Sequence, residues 1–165
     1  MILKDFDQRV QADLENLILK LRSKKLSLGF GESCTGGLLS ATLAKVPGVS
    51  DLFMGSIVSY SYQAKVDLLK VSWDTLKKEG AVSEAVALEM VRGVRDSLKV
   101  QVAASITGIA GPSGGTPDKP VGTVWFAVSG PKGERAERKL FAGSRQDIQE
   151  QSAAHALKVL LAVVN

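Results

Sequence analysis

The stretch LSLGFGESCTGGLLSATLAKV, Leu26 to Val46, decides the fold. Leu26 to Phe30 reads as a short strand, and Gly36 to Val46 has the three- and four-residue apolar spacing of a helix closed by Pro47-Gly48. Between them GESCTGG, Gly31 to Gly37, sets a carboxylate, two hydroxyls, the only thiol of the chain and three glycines where a strand becomes a helix. Three readings fit such a turn: a phosphate cradle, a nucleophile elbow, or a tight turn in which Ser33 or Thr35 caps the helix. The amides of Thr35, Gly36 and Gly37 would lie at a helix N-terminus, where unsatisfied N–H groups and the helix dipole favour an anion or a developing oxyanion. The turn lacks the lysine of a Walker loop and the GxGxxG spacing of a dinucleotide fold, so neither of those is supported.

Outward from this unit, Val10, Leu14, Leu17, Ile18 and Leu21 repeat at helical spacing among polar residues, which predicts an amphipathic helix over the first 25 residues. GSIVSY, Gly55 to Tyr60, reads as a second strand, and SYQAKVDLLKV after it as a helix with Ala64, Leu68 and Val71 on one face. Ser72 caps a short helix ending near Gly80, and Ser83 caps another with Val86, Met90 and Val94 in a stripe. VAASITG, Val102 to Gly108, is apolar enough for a strand buried on both faces. A long loop rich in glycine and proline follows, Gly108 to Thr123, of the kind that inside a compact domain is functional or disordered. VGTVWFAVSG and RAERKLFAG, joined by Gly130 to Gly133, read as an antiparallel hairpin. Ser144, with Asp147 three residues on, opens a C-terminal helix with Ile148, Ser152, His155 and Val159 on one stripe.

Alternating strands and helices, then a hairpin and a closing helix, predict an α/β fold: a three-layer α/β/α sandwich around a mixed, mostly parallel sheet. Ligands of such sheets bind beyond the carboxyl ends of the strands. The loops GESCTGG, YSYQAK and TGIAGPSGG are expected to meet there.

The 165 residues suit one domain over 1–165, and no segment has the look of a leader or the roughly 20 apolar residues of a membrane span, so a cytoplasmic domain is expected. One cysteine and one histidine are too few soft ligands for a structural zinc site, and no acidic cluster suggests another metal. The net charge of +4 comes from 21 basic and 17 acidic residues scattered along the chain, which fits a small anionic ligand better than a nucleic acid.

Ser33 and Cys34 are the candidate nucleophiles. Cys34 is chemically the stronger, but a single cysteine beside a strand is commonly a small buried filler. His155 sits mid-helix on an apolar stripe, as a core histidine does. Lys65, one helical turn into YSYQAK, can point at the same sheet edge as Ser33, and it acts as a base once burial or a nearby cation lowers its pKa. The phenol of Tyr60 is in position to donate to it or relay a proton.

Taken together, GESCTGGLLSATL, the GSIVSYS-x-x-AK block, GAVSE at Gly80 to Glu84 and TGIAGPSGGTPDKPVGTVWFA resemble the CinA C-terminal domain family over essentially the whole chain. The resemblance implies hydrolysis of the carboxamide of nicotinamide mononucleotide, a small-molecule nucleotide substrate, to nicotinate mononucleotide and ammonia. It implies no metal or other cofactor, and a homodimer. Ser33 would be the nucleophile, Lys65 its base and Tyr60 the neighbouring phenol. Arg145, after FAGS, would bind the 5′-phosphate, with Thr107, Gly108 and the Gly111 to Gly115 loop lining the nucleotide and Thr35, Gly36 and Gly37 supplying amides. Glu32 would orient Lys65, bind the ribose, or stabilise the turn. The larger family members carry a further N-terminal domain associated with pyrophosphatase activity, for which this chain has no room. A catalytically silent nucleotide-binding module is the alternative reading. Gly31 replaces the family's common alanine, and Tyr62-Gln63 stand where Asn-Glu is frequent, which directs attention to the pocket wall.

Overall fold

β1 (Leu28–Glu32) lies between two parallel partners, β2 (Phe53–Val58) on one side and β3 (Val102–Gly108) on the other. β4 (Thr123–Gly130) runs antiparallel to β3, and β5 (Gly133–Leu140) antiparallel to β4, giving the order β2-β1-β3-β4-β5. Four strands therefore share one direction and β4 opposes them, so the ladders divide into two parallel and two antiparallel. The computed structural model describes residues 2–165, with side chains from residue 6 onward.

Helices cover both faces of the sheet. On one face α1 (Ile2–Lys24), α2 (Leu38–Ala44) and α6 (Arg145–Val164) bury Leu17, Leu21, Leu39, Leu157 and Leu160 against Phe30, Ile106 and Phe126. On the other, α3 (Tyr62–Leu69), α4 (Trp73–Glu79) and α5 (Glu84–Leu98) bury Leu69, Leu76, Met90 and Val94 against Ala103 and Ala127. The two-residue period of β3 divides its side chains between the layers: Val102, Ala104 and Ile106 enter the first core and Ala103 the second. Each large side chain buried this way contributes about 1.5–3 kcal/mol relative to exposure.

Serine hydroxyls begin four of the helices. Ser61, Ser72, Ser83 and Ser144 accept from the amides of Ala64, Asp74, Val86 and Asp147, and Asp147 returns a bond to Ser144 in a capping box. The apolar stripe expected on α3 is displaced by one residue: Lys65 and Leu69 are buried, whereas Leu68 is 48% exposed. The cause is the close crossing of α3 and α5, where a Cβ on Gly93 would lie 2.0 Å from the carbonyl oxygen of Leu69. His155 sits between Phe126 and Phe141 and meets Glu137 of β5, as a residue of the core edge. No helix among the described residues is long and apolar enough to cross a membrane.

From β1 the chain crosses through α2 to β2, then returns over the opposite face through α3, α4 and α5 to β3 on the far side of β1. The carboxyl ends of β1 and β3 are thus a topological switch point, where diverging loops leave a crevice.

Candidate active site

Ser33 is the first residue past β1. Its amide donates to Ile106 O of β3 at 3.0 Å and its carbonyl accepts from Gly36 N at 3.0 Å, while Ser59 N binds Glu32 O at 2.8 Å. The turn at Ser33 is therefore tied to both neighbouring strands before any side chain is counted.

Glu32, fully buried at the end of β1, accepts hydrogen bonds from Thr35 Oγ1 and from the amides of Gly37, Leu39 and Ser40, and one from Ser56 Oγ. The start of α2 already holds an anion, and that anion is part of the protein. Glu32, Thr35, Gly36 and Gly37 stand outside the lining of the pocket described below, and Gly36 N donates to Ser33 O. Gly37 sits at φ +100°, a conformation that favours glycine, while Gly36 at +59° adopts the left-handed conformation that Lys70 also takes. Of the three readings, the phosphate cradle is excluded by the carboxylate that fills it.

Lys65 reaches the same edge from the first turn and a half of α3. Its Nζ lies 2.8 Å from Ser33 Oγ, 2.7 Å from Ser59 O and 3.5 Å from Tyr60 O, and the side chain is 1% exposed. No carboxylate pairs with it among the described residues. Burial without a counter-ion pulls its pKa down to about 8. In the neutral amine two hydrogens can go to the carbonyls of Ser59 and Tyr60, which leaves the lone pair for the Ser33 hydroxyl.

Cys34 points into the protein, and burial pushes its thiol up to about 12, so it is un-ionised and inert at neutral pH. Tyr60 departs from expectation. The residue is 58% exposed and its phenol oxygen accepts from Arg145 Nη2 at 2.6 Å, while its main-chain carbonyl accepts from Lys65 Nζ. The reason is geometric: Tyr60 is the last residue before the Ser61 cap, and its backbone, not its side chain, turns over the amine.

An open pocket of about 240 Å³ lies beyond these groups, lined by Ser33, Lys65, Tyr60, Thr107, Gly108, Gly111 and Arg145 among others. Thr107 gives its hydroxyl to Ala81 O at 2.8 Å and so holds the opposite wall. Gly108 has no room for a side chain, since a Cβ would come 2.7 Å from Val124 Cγ2. Gly111 accepts from Arg145 Nη1 at 2.8 Å. Arg145 makes no ion pair among the described residues: Asp147 serves the Ser144 cap and Glu150 pairs with Arg9.

Ser113 and Gly114 belong to the Gly111 to Gly115 loop expected to line the pocket, whereas Ala81, Val82, Ile109 and Ala110 were not singled out as lining residues from the sequence. They contribute backbone and small side chains, which carry no chemical signature. The two unusual positions act indirectly. Tyr62 lies outside the pocket, where its phenol accepts from Ala81 N at 3.3 Å and braces that wall, and Gln63 binds Asp67 on the surface of α3. Gly31 faces α5, where a Cβ would meet Val94 Cγ2 at 2.8 Å, so an alanine at this position would need α5 to yield.

The profile of the CinA C-terminal domain matches residues 11–164. A CinA-like protein of Fusobacterium nucleatum subsp. nucleatum is 42% identical over 164 residues, 99% of this chain and 40% of that protein. Another from Prochlorococcus marinus is 47% identical over 136 residues, 82% of this chain and 31% of its own. The chain thus spans less than half the length of these relatives. Among solved structures, the competence/damage inducible protein CihA from Agrobacterium tumefaciens superposes with a TM-score of 0.91 at 32% identity, covering 94% of this chain and 96% of that one. A competence or damage-inducible protein from Enterobacter asburiae superposes with a TM-score of 0.90 at 34% identity, covering 94% and 98%.

Proposed function

The chain belongs to the CinA C-terminal domain family, and from that premise we propose that it is an amidase that hydrolyses the carboxamide of nicotinamide mononucleotide to nicotinate mononucleotide and ammonia. The observation that carries the reading is the buried, uncompensated amine of Lys65 at 2.8 Å from Ser33 Oγ. A lysine in that position serves no ion pair, and lowering its pKa to about 8 makes it a base near neutral pH.

In this mechanism Ser33 Oγ attacks the amide carbon and its proton passes to neutral Lys65. The C–N bond then breaks, Lys65 returns the proton to the departing nitrogen, and ammonia leaves an acyl-Ser33 ester. Water attacks the ester, gives a proton to Lys65, and the C–O bond to Ser33 breaks as the hydroxyl recovers that proton, releasing the carboxylate. The charge of the wall supports a phosphorylated substrate, because the lining includes Arg145 and no carboxylate. Arg145 would take the phosphate, and the exposed face of Tyr60 suits the pyridinium ring.

The test is ammonia release from nicotinamide mononucleotide by the unmodified protein and by Ser33→Ala and Lys65→Ala. Ammonia from the unmodified protein alone supports the amidase. Binding of the nucleotide without ammonia would replace it with a silent nucleotide-binding module, and activity that survives Ser33→Ala but not Cys34→Ala would reassign the nucleophile.

A further inference from the structure

α6 touches the site through two residues one helical turn apart. Arg145 joins the glycine loop at Gly111 to the second-strand turn at Tyr60, and Gln149 Nε2 donates to Cys34 O at 2.8 Å. The second bond has no part in ligand contact, since Gln149 lies outside the pocket wall. Nor is it needed to hold α6, whose inner stripe of Ile148, Ala153, Ala156, Leu157 and Leu160 is buried in the first core. Its target is the carbonyl of the Cys34–Thr35 peptide, the second peptide past Ser33.

Other restraints on that turn act on other atoms. Ser33 N is held by Ile106 O and Ser33 O by Gly36 N, while the carboxylate of Glu32 holds the far end at Thr35 and Gly37. Between them the Cys34 carbonyl would be free to swing, because a single peptide plane can rotate with compensating changes of the two flanking dihedrals. Only an N–H donor can restrain a carbonyl oxygen, and among the described residues Gln149 is the sole side chain to donate to it.

We propose that Gln149 is a positioning residue of the nucleophile turn. By fixing the Cys34 carbonyl from α6, it keeps Ser33 Oγ on the lone pair of Lys65. The inference rests on the reading of Ser33 as the nucleophile, and it extends that reading to a residue remote from the reacting atoms. Displacement of a nucleophile by about 1 Å can cost on the order of 100-fold in rate, so the effect belongs in kcat and not in ground-state binding.

The experiment compares the unmodified protein with Gln149→Leu, Gln149→Glu and Gln149→Arg. A fluorophosphonate reports Ser33 directly: Oγ forms the P–O bond, fluoride leaves phosphorus, and the hydroxyl proton goes to Lys65. Its rate is read by the mass of the Ser33 peptide, beside kcat and KM for ammonia release from nicotinamide mononucleotide and the midpoint of thermal unfolding. Leu removes the donor and Glu turns an acceptor toward the carbonyl, so both should slow labelling and kcat by about 10- to 100-fold with KM within about twofold and an unshifted unfolding midpoint. Gln149→Arg keeps an N–H donor and should restore both rates. Wild-type labelling and kcat in Gln149→Leu would overturn the proposal, and so would a loss confined to KM or matched by unfolding and not rescued by arginine. Should the unmodified protein label at Ser33 yet release no ammonia, the amidase reading fails while the labelling rates still judge Gln149. An unmodified Ser33 that does not label overturns the positioning role as well, because there is then no reactive geometry to hold.

Discussion

Lys65 Nζ sits 2.8 Å from Ser33 Oγ although the two residues stand 32 positions apart in the chain, and the amine is buried without a carboxylate to balance it. Three features create the pair: β1 ends at Glu32, α3 starts at the Ser61 cap, and the carbonyls of Ser59 and Tyr60 receive the amine's own hydrogens.

The pH dependence follows from that burial. On the amidase reading the free enzyme needs neutral Lys65, whose pKa is lowered to about 8. kcat/KM for ammonia release should therefore rise about tenfold per pH unit below that value and level off above it. A profile already flat from pH 6 to 9 would remove Lys65 as the base.

The same shift is a stability statement. Lys65 binds its proton less tightly folded than unfolded, where it titrates near the ordinary lysine value of 10.5. Between about pH 8 and 10.5 the unfolded chain thus holds more protons, so stability rises with pH across that window, and below pH 8 the full penalty remains. Lys65→Met should abolish activity and stabilise the fold at pH 7 by about 1–3 kcal/mol, as read by urea unfolding.

Cys34 should prove dispensable. With its thiol buried and pushed up to about 12, it should not react with a disulfide reagent in the folded protein. Cys34→Ala should keep ammonia release within about threefold, a small cavity effect; loss comparable to Ser33→Ala would contradict this.

Glu32 is predicted to act on stability. Glu32→Gln turns an amide group toward main-chain N–H donors that the carboxylate now satisfies, and should cost about 2–4 kcal/mol by chemical denaturation. A rise in KM at unchanged stability would instead favour ribose binding.

Gly93→Ala tests the crossing that aims Lys65. Its Cβ would collide with Leu69 O at 2.0 Å and drive α3 away from α5. The expected outcome is a loss of at least 1–3 kcal/mol, an approximate overpacking cost, and about tenfold or more in kcat from a substitution outside the pocket.

Local patterns were legible because they arise from neighbours in sequence. Serine caps at 61, 72, 83 and 144, the Gly130–Gly133 hairpin and the β3 run Val102–Gly108 stand where spacing and turn chemistry put them. Ser33 and Lys65 were nameable as types of residue on one sheet edge. Glu32 was not resolvable, since a carboxylate before a helix reads equally as ligand or as cap until the amides of Gly37, Leu39 and Ser40 are seen to converge on it.

The order of apolar and polar residues by itself determined the layers, the strands and the loops that share the carboxyl edge, because periodicity is a property of consecutive side chains. Only the tertiary structure decided that α3 turns Lys65 inward, that Tyr60 offers its phenol to Arg145 and that Gln149 reaches Cys34. Those choices depend on how closely helices approach across glycine and on which backbone carbonyls remain unfilled, and both are set by residues far apart in the chain.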